Sequence, residues 1–261
     1  MFDWLFGRKK IGLALGGGVA RGIAHIGVLK VLHKNKIPIH CIAGTSSGAL
    51  IGAAYAAGME PQLIEDLALR ISWGKIIKVA FFRPGFISGD AIEEFIAKYI
   101  GDCKFAELKI PFAAVATDLK TGETVIINEG RIGKAVAASA SFPAVFTPGQ
   151  VKHHMVTDGG IAANLPVDVV KMMGANFAVA VDVVPTHPFH TLPKDAFQVF
   201  GRSLDMVLHK LSLDQRGKAD LLIEPQMEED IWHLDLNKAQ RLIAAGEAAA
   251  HKAIGKLRRL I

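Results

Sequence analysis

Cysteine, aromatic residues and long bulky apolar runs are all scarce in this 261-residue chain, and each scarcity removes a class of protein. The two cysteines, Cys41 and Cys103, are too few for a disulfide framework and stand at no metal-ligand spacing, which favours a reducing compartment. Aromatics make up only 7% of the chain and charged residues 21%, yet 51% is hydrophobic, so disorder, collagen-like repeats and fibres are excluded. Nor is a spanning or secretory segment expected. The stretch from Arg8 to Ala20 starts basic and turns apolar, but three glycines interrupt it, and Cys41 to Met59 is uncharged but built from Ala, Gly, Ser and Thr. Charge of neither sign dominates: 30 basic against 25 acidic residues leave +5, enough to attract an anionic surface but too diffuse for nucleic acid.

The apolar pattern predicts a layered α/β chain. Ile11 to Leu15 reads as a buried strand ending in Gly16-Gly17-Gly18, and Arg21 to Lys34 follows with helical spacing. Ile37 to Ala43 is a second buried strand, Gly44 to Gly48 a tight turn, and Ser47 to Ala57 a helix of small residues. A βαβα start implies a parallel sheet with right-handed crossovers. Further strands are predicted at Phe112–Thr117, Glu123–Asn128, Met155–Thr157, Phe177–Val184 and Leu221–Ile223. Helices are predicted at Pro61–Ile71, Asp90–Tyr99, Ile132–Ser139, Pro166–Met173, Ala196–Leu213 and Lys238–Leu260. Ser72 to Gly89, aromatic and basic by turns, reads as an inserted cap or loop. No repeat or linker divides the chain, so one domain is expected over 1–261, with its core motifs at about 11–184 and a short extension at 1–10.

Gly44-Thr45-Ser46-Ser47-Gly48 fits the nucleophile-elbow pattern between a predicted strand and a predicted helix. Such a turn strains the backbone of Ser46 to expose its hydroxyl, and side chains at Gly44 or Gly48 would collide with neighbouring elements. The Gly16-Gly17-Gly18 loop leads into a helix, where backbone amides suit either a phosphate or the oxyanion of an acyl-transfer intermediate. Dinucleotide binding is disfavoured because Arg21 stands at the last position of the Gly-x-Gly-x-x-Gly fingerprint, and no Gly-Lys-Ser/Thr follows for a P-loop. A histidine base is open by chain order to His187, His190, His209, His233 and His251, but none stands in a distinctive motif. Asp158, in Asp158-Gly159-Gly160 at the end of a short strand, has small neighbours that would let a carboxylate reach the serine directly. Asp118 and Asp182 also end buried strands, without the paired glycines.

These three motifs, in the order Gly16-Gly17-Gly18-Val19-Ala20-Arg21-Gly22, Gly44-Thr45-Ser46-Ser47-Gly48 and Asp158-Gly159-Gly160, resemble the patatin-like phospholipase family and its compact bacterial members most. The resemblance continues through His25-Ile26-Gly27-Val28-Leu29, Ser139-Ala140-Ser141-Phe142-Pro143 and Asn164-Leu165-Pro166, over roughly Ile11 to Val184. It implies a three-layer α/β fold, with a mainly parallel central sheet flanked by helices, and a serine lipid acyl hydrolase that works by a Ser-Asp dyad. Carried onto this sequence, Ser46 is the nucleophile, Asp158 the base, and the amides around Gly16, Gly17 and Gly18 the oxyanion donors. Arg21 braces that loop, and Gly44, Gly48, Gly159 and Gly160 give the close approaches. No cofactor and no metal are implied, and the substrates are acyl esters of phospholipids, lysophospholipids or neutral lipids.

The remaining polar residues carry smaller expectations. His25 reads as a structural histidine, and His153 and His154 as residues on opposite faces of a strand, which argues against a metal site. Arg8-Lys9-Lys10, beside Phe2, Trp4, Leu5 and Phe6, and the basic residues Lys256, Arg258 and Arg259 suit peripheral contact with a membrane, although solvated helix ends would look the same. The expected setting is cytoplasmic with such peripheral contact, and nothing in the pattern specifies an oligomer. The competing function is a regulatory or interaction module with weak or vestigial hydrolase activity.

Overall fold

A computed structural model describes residues 9–70, 88–143, 145–185, 189–227, 229–233 and 235–259. The N-terminal apolar-basic cluster up to Arg8 and nearly all of the expected cap, residues 71–87, lie outside the described residues. Among the described residues eight strands form one sheet: β1 (Ile11–Leu15), β2 (Ile39–Thr45), β3 (Phe112–Asp118), β4 (Thr124–Ile127), β5 (Gly149–Val151), β6 (His154–Asp158), β7 (Phe177–Val181) and β8 (Leu221–Ile223). Their order is β5-β6-β3-β2-β1-β7-β8, with β4 also paired to β3. From β3 through β2, β1 and β7 to β8 every pairing is parallel, whereas β4, β5 and β6 join antiparallel. The helices are α1 (Ala24–Lys34), α2 (Ser47–Ala56), α3 (Pro61–Arg70), α4 (Asp90–Tyr99), α5 (Ile132–Ser139), α6 (Gly160–Ala163), α7 (Val167–Met172), α8 (Ala196–Lys218) and α9 (Ala239–Arg258).

Side-chain size along the central strands explains the two unequal cores. Ile11, Leu13 and Leu15 of β1, Ile42 of β2, Phe112 and Ala114 of β3, and Phe177, Val179 and Val181 of β7 face one core, which α1, α2 and α9 cover. The alternate positions, Ala14, Cys41, Ala43, Ala113, Val115, Ala178 and Ala180, meet Leu165 and the valines of α7 in a second core. Both faces are buried, as a parallel sheet requires, and the period-2 alternation of large with small sets a thick layer on one side and a thin one on the other. Gly12 shows how thin: a Cβ there would lie 2.8 Å from that of Val170. On the thick side α1 and α9 pack backbone to backbone, since a Cβ on Gly27 would lie 2.0 Å from the Ile243 carbonyl and one on Gly246 2.0 Å from that of Ala24.

Several element ends differ from the pattern-based expectation for identifiable reasons. β2 starts after Pro38, which has no N–H to donate, and runs on to Thr45 so that the turn at Ser46 follows it directly. The helix expected from Arg21 begins as a 3-10 turn, Val19–Ile23, before α1. α8 continues past Leu213, where apolar periodicity ends, because Arg216 is anchored by Asp182 at 2.6 Å and by Glu224 at 2.5 Å. β5 and α6 are only three and four residues long, too short for any periodicity to announce.

Candidate active site

Because β1, β2 and β7 are parallel, Gly16, Ser46 and Asp182 all leave the sheet at the same edge. Register brings the acid there from the other direction. Thr45 of β2 pairs with Val115 of β3, and the next residue of β3, Ala116, pairs with Asp158 at the end of antiparallel β6. The residue after Thr45 is therefore neighbour to Asp158, although 112 positions separate them in the chain.

Ser46 sits at φ 53° and ψ −119°, between β2 and the first turn of α2. A positive φ in a non-glycine residue costs on the order of 1–3 kcal/mol and persists only when its surroundings enforce it. They do so here: the Ser46 amide donates to Ser139 Oγ at 2.9 Å, and Ser139 Oγ donates to the Val115 carbonyl at 2.6 Å. Thr45 Oγ1 donates to the Ala163 carbonyl at 2.9 Å. Two close approaches complete the elbow, since a Cβ on Gly44 would lie 2.5 Å from the Gly48 carbonyl and one on Gly48 2.3 Å from that of Leu15. The N-terminus of α2 adds partial positive charge beside Ser46.

The Asp158 carboxyl is buried. Its Oδ1 accepts from the Gly160 amide at 2.8 Å, whereas Oδ2 is buried without a hydrogen-bond partner among the described residues. Burial raises its pKa to about 6, offset in part by the neighbouring Ser46 hydroxyl and by the Gly160 amide. Gly159 is where the chain must pass closest to β3: a Cβ there would lie 2.1 Å from the Val115 carbonyl. The other two acids are committed elsewhere. Asp118 is held below the usual carboxylate range by the His154 side chain and the Lys120 and Thr121 amides, and Asp182 pairs with Arg216.

The glycine loop departs from the simple expectation that its three glycine amides all face a reacting oxygen. Gly16 N–H donates to the Val181 carbonyl at 3.0 Å and Gly17 N–H to the Asn164 carbonyl at 3.2 Å, which ties the loop to β7 and to the segment after α6. Gly18 N–H donates to the rotatable Ser47 hydroxyl at 3.1 Å. The amides of Val19 and Ala20, opening the 3-10 turn, have no acceptor among the described residues, and Val19 takes φ 49°, an outlier for a β-branched side chain. Gly17 lies against the serine itself, since a Cβ on it would be 3.3 Å from Ser46 Cβ and 2.7 Å from Asn164 Oδ1.

Four supporting residues take partners that the sequence did not assign. His25 is fully buried and donates from Nε2 to the Gly16 carbonyl at 2.7 Å; burial lowers its pKa to about 4, so it is neutral and structural. Asn164 and Ser139 were legible only as members of quoted motifs. Arg21 is buried too, donating to the Ile231 carbonyl at 2.9 Å and pairing with Asp205 of α8, beside which His233 Nε2 lies at 3.2 Å. His233 is thus taken up by that cluster. His187 lies outside the described residues, and no hydrogen bond joins a described histidine to Ser46. His153 corrects the expectation of opposite faces: it belongs to the β5–β6 turn, and its ring centroid is 4.0 Å from that of His154. Among the described residues no group of three His, Cys, Asp or Glu side chains could hold a metal ion, and no helix is long and apolar enough to cross a membrane.

Known proteins resemble this chain in sequence and in fold. An uncharacterized NTE family protein of Mycobacterium tuberculosis is 33% identical over 177 residues, which is 67% of this chain and 49% of that protein. Lysophospholipase nte1 of Aspergillus fumigatus is 31% identical over 202 residues, 75% of this chain but 13% of that protein. The chain thus spans half or less of the length of these curated relatives. In three dimensions it is similar to VipD from Legionella pneumophila, with a TM-score of 0.61 at 15% identity over 95% of this chain and 67% of that one. It is also similar to the type III effector ExoU, with a TM-score of 0.54 at 13% identity over 97% of this chain and 53% of that one. Both likenesses concern the fold alone. The Patatin-like phospholipase model matches residues 13–171, a span that holds the glycine loop, the elbow and the Asp158 turn in that order, and the chain belongs to that family.

Proposed function

We propose that this chain is a serine lipid acyl hydrolase of phospholipase or lysophospholipase type, with Ser46 as nucleophile and Asp158 as its base. One observation carries the reading: a buried carboxylate with an unpartnered oxygen stands beside a serine held in a strained turn. An ordinary aspartate is a poor base toward an alcohol. At a pKa of about 6 Asp158 is a stronger one, yet still ionised roughly ten to one at pH 7. Ser46 Oγ attacks the acyl carbonyl carbon while its proton passes to Asp158 Oδ2, and the former carbonyl oxygen takes up the negative charge. The amides of Gly18, Val19 and Ala20 are the donors assigned to that oxyanion, because Gly16 and Gly17 already hold the loop to the scaffold. Collapse expels the alcohol, which takes the proton from Asp158, and leaves an acyl-Ser46 ester. Water then attacks that ester, giving a proton to Asp158; breakdown returns it to Ser46 and releases the fatty acid.

Dependence on a phospholipid or lysophospholipid substrate is supported by the family and by the name of the Aspergillus relative. The test is a fluorophosphonate probe on the full chain together with a panel of phosphatidylcholine, lysophosphatidylcholine and triacylglycerol. The expected result is one adduct, mapped to Ser46, with fatty-acid release that survives chelation by EDTA. A folded protein that is neither labelled nor active on any of the three would overturn the reading.

A further inference from the structure

α8 presents its outer side to solvent with an unusual load. Val199, Phe200, Met206, Val207, Leu211 and Leu213 are each between 45% and 58% exposed. At 100° per residue they form two stripes, Val199-Met206-Leu213 and Phe200-Val207-Leu211, on one side of a helix about 35 Å long. Large apolar patches of this kind on a soluble chain mark an interaction surface. The inner side is firmly seated, with Asp205 paired to Arg21 of the glycine-loop turn and Leu208 and Ser212 buried. α8 also borders the candidate site at two points. The Phe200 ring meets that of Phe142, next to the Ser139–Ser141 segment that holds Ser46 and Asp158, and Leu208 lies 3.5 Å from where a Cβ on Gly160 would stand.

We propose that this outer face of α8 docks on a lipid interface that carries anionic headgroups. Charge selects the occupant. Lys210 lies between the two stripes, exposed and without an ion pair among the described residues, whereas Asp214 is already paired with Lys218 at 2.6 Å. A protein partner would strip the water from that ammonium unless it supplied a matching charge. At a lipid surface the stem of Lys210 lies along the apolar layer while its head reaches a phosphate, and the stripes insert on either side. The net charge of +5 favours the same surface. Docking by α8 would hold the Ser46 turn at a set height over the lipid, because the Arg21–Asp205 pair fixes the helix to the 3-10 turn that follows the glycine loop. The docking itself does not depend on the hydrolase reading; only its consequence for Ser46 rests on it.

The experiment is co-sedimentation of the full chain with vesicles of phosphatidylcholine alone and of phosphatidylcholine mixed with phosphatidylserine, beside turnover of a soluble short-chain ester. Val207→Glu with Leu211→Glu is expected to weaken binding to both vesicles at least about tenfold and to leave soluble-ester turnover unchanged. Lys210→Glu should weaken only the binding to phosphatidylserine-containing vesicles and flatten its dependence on salt. Wild type that sediments with neither vesicle, or a double variant that binds as wild type does, overturns the proposal. So does a wild-type dimer in analytical ultracentrifugation that the double variant abolishes without any vesicle binding, which makes a second copy the occupant. A melting temperature lowered by the double variant in the absence of lipid, with vesicle binding retained, also overturns it, since the chain itself would then cover the face. Vesicle binding without turnover of any ester would leave the docking intact and defeat the hydrolase assignment instead.

Discussion

As the proposed base, Asp158 answers two opposed demands, since the burial that would make it a better base also makes its charge costly to the fold. Ser46→Ala is expected to remove ester hydrolysis while leaving the melting temperature close to wild type, because only one hydroxyl is lost. Asp158→Asn should be almost as inactive, as an amide cannot take the serine proton. Its stability should move the other way. The folded pKa of about 6 lies above the ordinary value of 3.8, so the protonated form favours folding below about pH 4, and that contribution is lost as pH rises through 6. At pH 8 the variant should therefore be more stable than wild type, by about 3 kcal/mol at most, with the difference vanishing near pH 4. Urea unfolding of both proteins at the two pH values checks this, and an unchanged difference would refute the buried-carboxylate account. The same group predicts that kcat/KM rises with pH through about 6 and then levels, since only the ionised carboxylate accepts the proton.

At the scale of elements, the glycine loop and the helix behind it act as one part. His25 of α1 supports the Gly16 carbonyl from a buried position, and its folded pKa of about 4 lies below the ordinary 6.5. The stability it contributes is present above pH 6.5 and lost as pH falls through 4, about 3 kcal/mol in full. His25→Gln, whose amide still donates, should abolish that acid sensitivity, read as the change in urea midpoint between pH 7 and pH 4.5. Asp158 opposes it over part of this range, so each group is measured against its own variant. Gly17→Ala presses on Ser46 and Asn164 and is expected to lower kcat far more than it raises KM, by about 3 kcal/mol if one oxyanion donor is displaced. Far from the site, Gly246→Ala forces α9 off α1 and should cost about 3 kcal/mol in thermal unfolding. The tripeptide Gly16-Gly17-Gly18 and the pentapeptide at Ser46 were readable as motifs because tight turns demand particular residues at fixed offsets. The acceptors of their amides were not readable, because Val181 and Asn164 reach them only through the packing of β7 and of the turn after α6.

Across the whole molecule, the span matched by the family model ends at residue 171, before β7 is laid down. β7 is nevertheless the neighbour of β1 and supplies the carbonyl that fixes Gly16, while α9 covers α1. A fragment ending at Ala175 is thus expected to show no cooperative thermal transition and no fluorophosphonate labelling, whereas the full chain shows both. Circular dichroism melts of the two chains decide it, and a cooperative melt of the fragment would mean that the sheet forms without β7 beside β1.

Periodicity and turn chemistry are local properties, and the sequence by itself determined what depends on them. The buried strands, the helices of ordinary length, the elbow at Ser46 and the order of the motifs are of this kind, since each is set by residues within a few positions of one another. Which acid stands beside Ser46 was legible only through the paired glycines after Asp158 and the family resemblance. Tertiary structure set that neighbourhood, through the register of β2 on β3 and of β3 on antiparallel β6, while Asp118 was drawn to His154 and Asp182 to Arg216. It also decided that the amides of Val19 and Ala20, rather than those of Gly16 and Gly17, lack acceptors, and that α8 turns its apolar stripes outward. The reason is common to all of these. A side chain's partner is chosen by strand register and layer packing between distant segments, and no local pattern encodes which distant segment will arrive.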